Sequence, residues 1–485
     1  MIVPTSGYQK NSNFANRFLK GTHTMNSFLY AEIACFANDN DAFVPEKWAQ
    51  EGLMILEETM VMAHLVHRDF EDEVQRYGDV VNTRRPNKFK IARKVDGDTL
   101  DYQDAQSTNI PVTLNQWFTQ PFTIFDGEDS MSFQDLVQVY LHPAMLSIAN
   151  GVDRSVTGQV QRFINTAANR VGRLENFPSA TSNEVVLDAR QVLNDNLAPQ
   201  DAQRHLLLTS ASETALLKND LFVKANERGD GGTALEYARL GRIYDFNTWM
   251  GQNVPSLVSG TTIAGTSTAA RAAGYAAAIT CTLGATVVGE FINVAGNDQP
   301  TFCTAITGAT TDFTLNEALK YATGATAVVT AYTSDTVDHP SAGSYAIGWT
   351  KHVQMDNIAY WNIGQLCAFG VGAARRTYTV IEINGANVIL DRPLEVAVAD
   401  GDAAFPGPQG SMNIAFHREA LALITRPLAL PRAGTGVQAA VASYNGISMR
   451  ITMQYNQSAG GTQVNCDMLA GLAVLDTNLA CVMLG

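Results

Sequence analysis

Gly78-Asp79-Val80-Val81-Asn82-Thr83-Arg84-Arg85-Pro86, continued by Lys88, Lys90, Arg93 and Lys94, sets six positive charges within eleven positions of one extended run. Along it Phe89 and Ile91 alternate with Lys88 and Lys90. On the far side Ile110, Val112, Leu114 and Phe118 largely keep a period of two, the spacing of a strand with one covered face. Between the two runs lie Val95-Asp96-Gly97-Asp98-Thr99 and a polar stretch to Asn109. The pattern predicts a long two-stranded arm with a polar tip. An isolated hairpin is marginal in water, so its apolar face must lie on its own body or on another chain.

Three readings fit the basic run: a phosphate-binding strand, a solvated strand face, or a strand that docks on an acidic surface of a neighbouring subunit. Asp96, Asp98, Asp101 and Asp104 follow at once and would repel phosphate, which favours docking. Arg84, Arg85, Lys88, Lys90, Arg93 and Lys94 are then the candidate inter-subunit contacts, with Glu71, Asp72 and Glu73, from the acidic run just upstream, as their candidate partners.

Upstream, Pro45 suits a first helical turn, and Ala49, Leu53, Leu56 and Met60 form one helical stripe. The residues before it are polar and Asn-rich and read as an arm. Downstream, apolar residues from Phe133 to Ala167 keep helical spacing, with Pro143 ending a short first helix or kinking the pair. The remainder, to Val171, predicts a spine of about 28 residues, roughly 40 Å long. Asn183 to Asn196 reads as a helix with Asn183 as its cap. His205 to Thr209 reads as a buried strand, and Leu240 to Trp249 as a strand and its approach. From about 256 to 410 strands alternate with Gly/Thr turns; the clearest signal is Asn384-Gly385 between two apolar runs. A helix is expected over Asn413–Thr425, stopped by Pro427. Ile447, Met449, Ile451, Met453 and Tyr455 share one strand face, and Val464, Cys466 and Met468 resume after Gly460-Gly461.

The chain has 485 residues and a net charge of -14. Hydrophobic residues make up 46%, which excludes strong disorder. The negative charge argues against general nucleic-acid binding, which depends on neutralising phosphates. Charge is uneven: residues 1–250 hold 23 of the 33 basic and 32 of the 47 acidic residues. Six cysteines without a CxxC pair make neither a disulfide framework nor a zinc signature. The N-terminus lacks the apolar core of a signal peptide. The run from Ala272 to Gly289 is too poor in large apolar residues to span a membrane. A soluble, cytosolically made protein is expected.

No phosphate loop, GxSxG elbow or HExxH helix occurs. His64 and His67 could share a metal, but two ordinary histidines are the better reading. The acids at 71–73 read as a solvated or contact face rather than a calcium site. Trp349 and Trp361 could stack on sugar, although a core or interface role is preferred. Neither a cofactor, a metal nor a catalytic activity is expected.

The order of elements resembles the major capsid (coat) proteins of tailed bacteriophages, which share the Hong Kong 97-like fold. Val66-His67-Arg68-Asp69-Phe70-Glu71 and the segment from Gly78 to Pro86 are similar to the lead into the extended loop of the short-tailed Salmonella-phage coat group. Asn413-Ile414-Ala415-Phe416-His417-Arg418-Glu419-Ala420 and Gly446-Ile447-Ser448-Met449-Arg450 resemble that group's C-terminal part. The resemblance implies an α+β fold with an N-terminal arm (1–44), a helix and acidic turn (45–77) and an extended loop (78–132). It further implies a peripheral domain on the spine helix (133–180 and 437–485), an axial domain (181–255 and 411–436) and a β-rich inserted domain (256–410). That insertion is longer than the group's, and no residue pair suits a covalent crosslink.

By this resemblance the chain is a virion structural protein, assembled in the bacterial host cytoplasm. It forms pentamers and hexamers of itself in an icosahedral shell, with a scaffolding protein, a portal and a decoration protein as partners. It encloses double-stranded DNA without sequence-specific binding and has no membrane partner. The alternatives are an encapsulin-type compartment shell and, in a different class, a β-rich carbohydrate-binding protein or enzyme.

Overall fold

A computed structural model describes residues 45–68, 80–85, 91, 93–97, 99, 108–126, 137–164, 167–174, 182–219, 222, 240–257, 262–282, 286–307, 312–348, 351–432, 436–444 and 446–485. The chain is α+β, with a few helices among many, mostly antiparallel, strands. The expected arm over 1–44 lies outside the described residues.

Helix α1 (Pro45–Thr59) starts at its proline, as expected, and buries Trp48, Ala49, Leu53 and Leu56. A single turn, α2 (Met62–Leu65), follows. Strands β1 (Val80–Arg85) and β2 (Thr108–Thr113) pair antiparallel, from Val80 opposite Thr113 to Arg85 opposite Thr108. The return strand does not run on to Phe118 within the hairpin. After Leu114 the chain enters β3 (Gln116–Phe125), which pairs elsewhere. The period of two persists across the break because Leu114 and Gln116 are both buried.

The spine is shorter than expected. A π-turn (Val137–Leu141) leads into α3 (His142–Gly158), whose 17 residues span about 26 Å. Pro143 sits in its first turn, directly after the short π-helical segment that ends at Leu141. Beyond α3 come a short turn, α4 (Gln161–Ile164), and a strand, β4 (Arg170–Gly172). Val160, Phe163 and Ile164 stay in the same core as α3, so the apolar spacing recorded continuous burial and not a continuous helix. Gly158 has a packing reason: a Cβ there would lie 2.7 Å from the Asp391 Cβ.

Next come α5 (Ser182–Asp195), β5 (Arg204–Leu208), α6 (Ser210–Leu217), β6 (Arg242–Ile243), β7 (Phe246–Met250) and β8 (Ser256–Leu257). Thr209 caps α6, its Oγ1 accepting from the Ser212 N–H. The region 256–410 folds mainly as two six-stranded sheets. The first contains β9 (Thr262–Thr266), β10 (Ile279–Thr280), β11 (Phe291–Val294), β12 (Thr301–Thr307), β13 (Asp312–Leu315) and β14 (Val328–Tyr332), in the order β10-β13-β12-β11-β14-β9. The second begins with β15 (Asp335–Thr336); a small ribbon strand β16 (Ser344–Tyr345) intervenes. Then follow β17 (His352–Gln354), β18 (Leu366–Phe369), β19 (Arg376–Asn384), β20 (Asn387–Leu390), the ribbon's β21 (Val398–Ala399) and β22 (Ala403–Pro406). The second sheet's order is β15-β22-β18-β19-β20-β17. The hairpin expected at Asn384-Gly385 is present one residue further on: Asn384 pairs with Asn387, and Gly385, at φ +60°, opens the two-residue loop.

The chain returns as β23 (Gly410–His417), β24 (Leu421–Arg426), β25 (Gln438–Tyr444), β26 (Ile447–Asn456), β27 (Gly461–Val474) and β28 (Ala480–Leu484). The helix expected over Asn413–Thr425 is therefore two strands, joined by a helical turn at Arg418–Ala420. From Met412 to His417 and from Leu421 to Thr425 every residue is buried. A run buried on both faces has no period to tell a strand from a helix.

β23 lies inside a seven-stranded sheet, β4-β28-β23-β5-β7-β6 with β8 also on β23. In the five-stranded sheet β27 is flanked by β3 on one side and by β26 and then β24 on the other, with β25 outside β26. α1 and α3 pack on one face of this sheet, where Trp48, Met145, Ile148 and Val152 meet Met449, Ile451, Val464, Cys466 and Met468. Each such fully buried aliphatic side chain contributes about 1.5–3 kcal/mol.

The region 256–410 is tied to α3. Asp391, fully buried, accepts from the Thr379 N–H (2.8 Å), from Arg392 Nη1 (3.0 Å) and from the amides of Gln159 (3.3 Å) and Gln161 (3.4 Å). Burial pushes its carboxyl above the usual range against the pull of Arg392. Arg375 bridges the two six-stranded sheets. Its guanidinium stands 4.1–4.6 Å from the ring centroids of Phe302 and Phe291 and 5.3 Å from that of Phe405, and it donates to the Gly289 carbonyl.

Asp153 on α3 holds the α1–α2 junction. Its Oδ2 accepts from the Val61 N–H at 2.9 Å. Burial pushes its carboxyl up to about 6, against the backbone N–H groups of Val61, Ala63 and Met62. The folded state thus holds this proton more tightly than the unfolded chain. The associated stability is complete below about pH 4 and is lost as pH rises through 6. Asp153→Asn removes the titration. The stability of that variant relative to the parent should therefore rise by about 2–3 kcal/mol between pH 4 and pH 7, read from denaturant melts; a flat difference would contradict the assignment.

Candidate functional site

Among the described residues, the hairpin packs on the body at its root. Val81, Val112 and Leu114 are buried against Ala422 and Ile424, with Leu469, Ala473 and Leu475 at the edge of the cluster. This places β1 and β2 on the face of β24 and β27 opposite α1 and α3. Asn109 Nδ2 donates to Asn82 Oδ1 at 3.0 Å across the pair. Beyond the root, Ile91 is 93% exposed and Val95 71%. Arg93 and Lys94 are exposed beside them. The chain turns at Asp96-Gly97, where φ of +99° suits glycine.

Of the candidate contact residues, Arg84 and Arg85 lie on β1 opposite Asn109 and Thr108. Lys88, Lys90, Glu71, Asp72 and Glu73 lie outside the described residues. Two of the six basic positions thus lie on β1 and two, Arg93 and Lys94, in exposed irregular chain between β1 and β2; their pairing with the acids is a proposal.

A second surface was missed in the sequence. β3 is an edge strand: β27 pairs with one side of it, and among the described residues no strand pairs with the other. Its residues alternate. Phe118, Phe122 and Ile124 face α1 and α3, where Phe122 stacks with Trp48 (6.5 Å) and Tyr140 (6.1 Å). Trp117, Thr119, Pro121 and Phe125 face outward, and Trp117 is 54% exposed. On that outer face Asp467 organises a polar ladder, accepting from Trp117 Nε1 (3.2 Å), Asn465 Nδ2 (2.8 Å) and Arg450 Nη2 (2.6 Å). The signal that could have found this edge is Pro121, since proline inside a strand is confined to edges and bulges.

The groups weighed for chemistry do not converge. His64 lies in α2 with its Nδ1 3.3 Å from Arg68, whereas His67 is extended, its N–H donating to the Leu421 carbonyl. Trp361 is buried and donates to Asp335 Oδ2 at 2.8 Å; Trp349 lies outside the described residues. Among the described residues no cluster of His, Cys, Asp or Glu could hold a metal, and no helix is long and apolar enough to cross a membrane. A cavity of about 250 Å³ is lined by Gln161, Arg170, Phe291, Phe302, Glu317 and Thr377, among others. Its two charges satisfy each other. Arg170 pairs with Glu317 and also donates to Gln299 Oε1 (2.8 Å) and the Ile164 carbonyl (3.1 Å). This is a packing gap between α4 and the inserted sheets.

No family model and no curated protein matches the chain. Among solved structures, a chain of Mycobacterium phage Che8 is similar over 87% of this chain and 90% of its own, at 10% identity and a TM-score of 0.42. The capsid structure of cyanophage P-SCSP1u is similar over 84% of each chain, at 8% identity and a TM-score of 0.41. The mature capsid of bacteriophage PhiM1 is similar over 85% of this chain and 83% of its own, at 10% identity and a TM-score of 0.40.

Proposed function

We propose that this chain is a major capsid protein of a tailed bacteriophage, with a Hong Kong 97-like fold, that assembles with copies of itself into an icosahedral head around double-stranded DNA. One observation carries the reading. Among the described residues the hairpin packs on its own body through its root, and between its strands Ile91, Arg93, Lys94 and Val95 are exposed. Apolar and charged side chains presented together on a projecting element suit contact with another subunit better than solvent. The resemblance of 66–86, 413–420 and 446–450 to short-tailed phage coat proteins supports the same reading, and the net charge of -14 limits adhesion to enclosed DNA.

Pentamers and hexamers, a scaffolding protein, a portal and a decoration protein would be its partners, and the inserted 256–410 region would modulate shell size. Purified protein at micromolar concentration, alone or with its scaffolding partner, should sediment as species far heavier than 52.3 kDa and show shells or capsomers by negative-stain microscopy. A stable monomer under all of these conditions contradicts the proposal.

A further inference from the structure

Arg375 is only 9% exposed, and its charge has no counter-ion in the protein. Among the described residues the one acidic group that acts on it is the Cys367 thiol. Burial pushes that thiol well above its usual range, so it is neutral near neutral pH and leaves the cation unbalanced. The faces of Phe291, Phe302 and Phe405 stabilise the charge, but they offer no acceptor in the guanidinium plane. There the hydrogen bonds are one-sided. Nη1 donates to the Gly289 carbonyl, whereas Nε and Nη2 are both buried without an acceptor. These two nitrogens share one edge of the planar group, with nearly parallel N–H bonds, the edge that takes an anion side-on. Arg190, Arg271 and Arg450 each leave a single buried nitrogen unbonded; among the described residues only Arg375 leaves two. An unbalanced buried charge and two buried donors without acceptors are both costly, and one anion on that edge answers both.

We infer that Arg375 binds a small monovalent anion of halide size through Nε and Nη2, and that this anion fastens the two six-stranded sheets to each other. The size follows from the crowding: a phosphate or a carboxylic acid would have to displace the three rings packed around the guanidinium. The fastening follows from the placement. Arg375 directly precedes β19 of the second sheet, whereas Phe291 and Phe302 belong to β11 and β12 of the first. The pocket for the anion therefore exists only while the sheets are together, and an anion that binds only then stabilises their contact by mass action.

Thermal melts of the full chain at constant ionic strength, with gluconate replaced stepwise by chloride, test the inference. Gluconate is too bulky for the site. The parent should melt progressively higher as chloride rises, by a few degrees in all. Arg375→Met should abolish the dependence. Arg375→Lys keeps the charge but loses the fork, and should need roughly tenfold more chloride for the same shift. A parent indifferent to chloride, or an Arg375→Met variant that responds as the parent does, overturns the inference. A structure of the parent determined with bromide in place of chloride needs no variant: anomalous scattering should place bromide within hydrogen-bond reach of both nitrogens. A water at that position, without an anomalous signal, overturns it equally.

Discussion

Asp391→Ala should cost about 3–5 kcal/mol, because it leaves Arg392 buried without its carboxylate. The same change strips an acceptor from the Thr379 N–H and from Gln159 and Gln161, so the damage falls where the insertion meets α3. Denaturant melts should show a lower midpoint, and protease should release the insertion earlier. Glu395 retains Arg392 through Nε at 2.8 Å and Arg162 at 2.9 Å, but it is partly exposed and replaces the lost interaction only in part. Asp391→Asn keeps an acceptor for Thr379 and should lose distinctly less. An alanine variant within about 1 kcal/mol of the parent would show that the tie is not formed.

Reversing Arg84, Arg85 and Lys88 to glutamate should slow or block shell formation while leaving the subunit's thermal unfolding nearly unchanged. A single exposed ion pair contributes roughly 0–1 kcal/mol. A shell repeats it at every contact, and charges at a rim set docking register and association rate more than final affinity. The triple reversal turns each of these attractions into a repulsion. Added salt should weaken assembly of the parent in the same direction, since screening acts first on exposed charges. Normal assembly of the variant with loss of retained DNA would mean that the strand faces the genome.

What the sequence disclosed follows from where period and burial coincide. Ile447 to Met453 alternate cleanly because one face of β26 meets α1 and the other meets solvent or polar neighbours. The hairpin root was legible for the same reason. The return through β23 and β24 reads as a helix because every residue from Met412 to His417 is buried, which erases the period. The spine was overextended because Val160 and Phe163 continue its core beyond the last helical turn. Among the candidate contacts, Arg93 and Lys94 are exposed, in irregular chain between β1 and β2. The β3 edge escaped notice because edge and centre strands share the same alternation, and only Pro121 distinguishes them.

The place of β3 beside β27 also sets an order of events during folding. Thr119 and Asn465 bond across this pair although they stand 346 positions apart in the chain. Closing so long a loop is entropically slow, whereas β18 and β19, or β19 and β20, can find each other across a few residues. The two six-stranded sheets should therefore condense early, and β3 should wait with its aromatic residues uncovered until the distal part of the chain arrives. During that interval the nascent subunit is most exposed to aggregation. A holding chaperone would act there, before any contact between finished subunits comes into play.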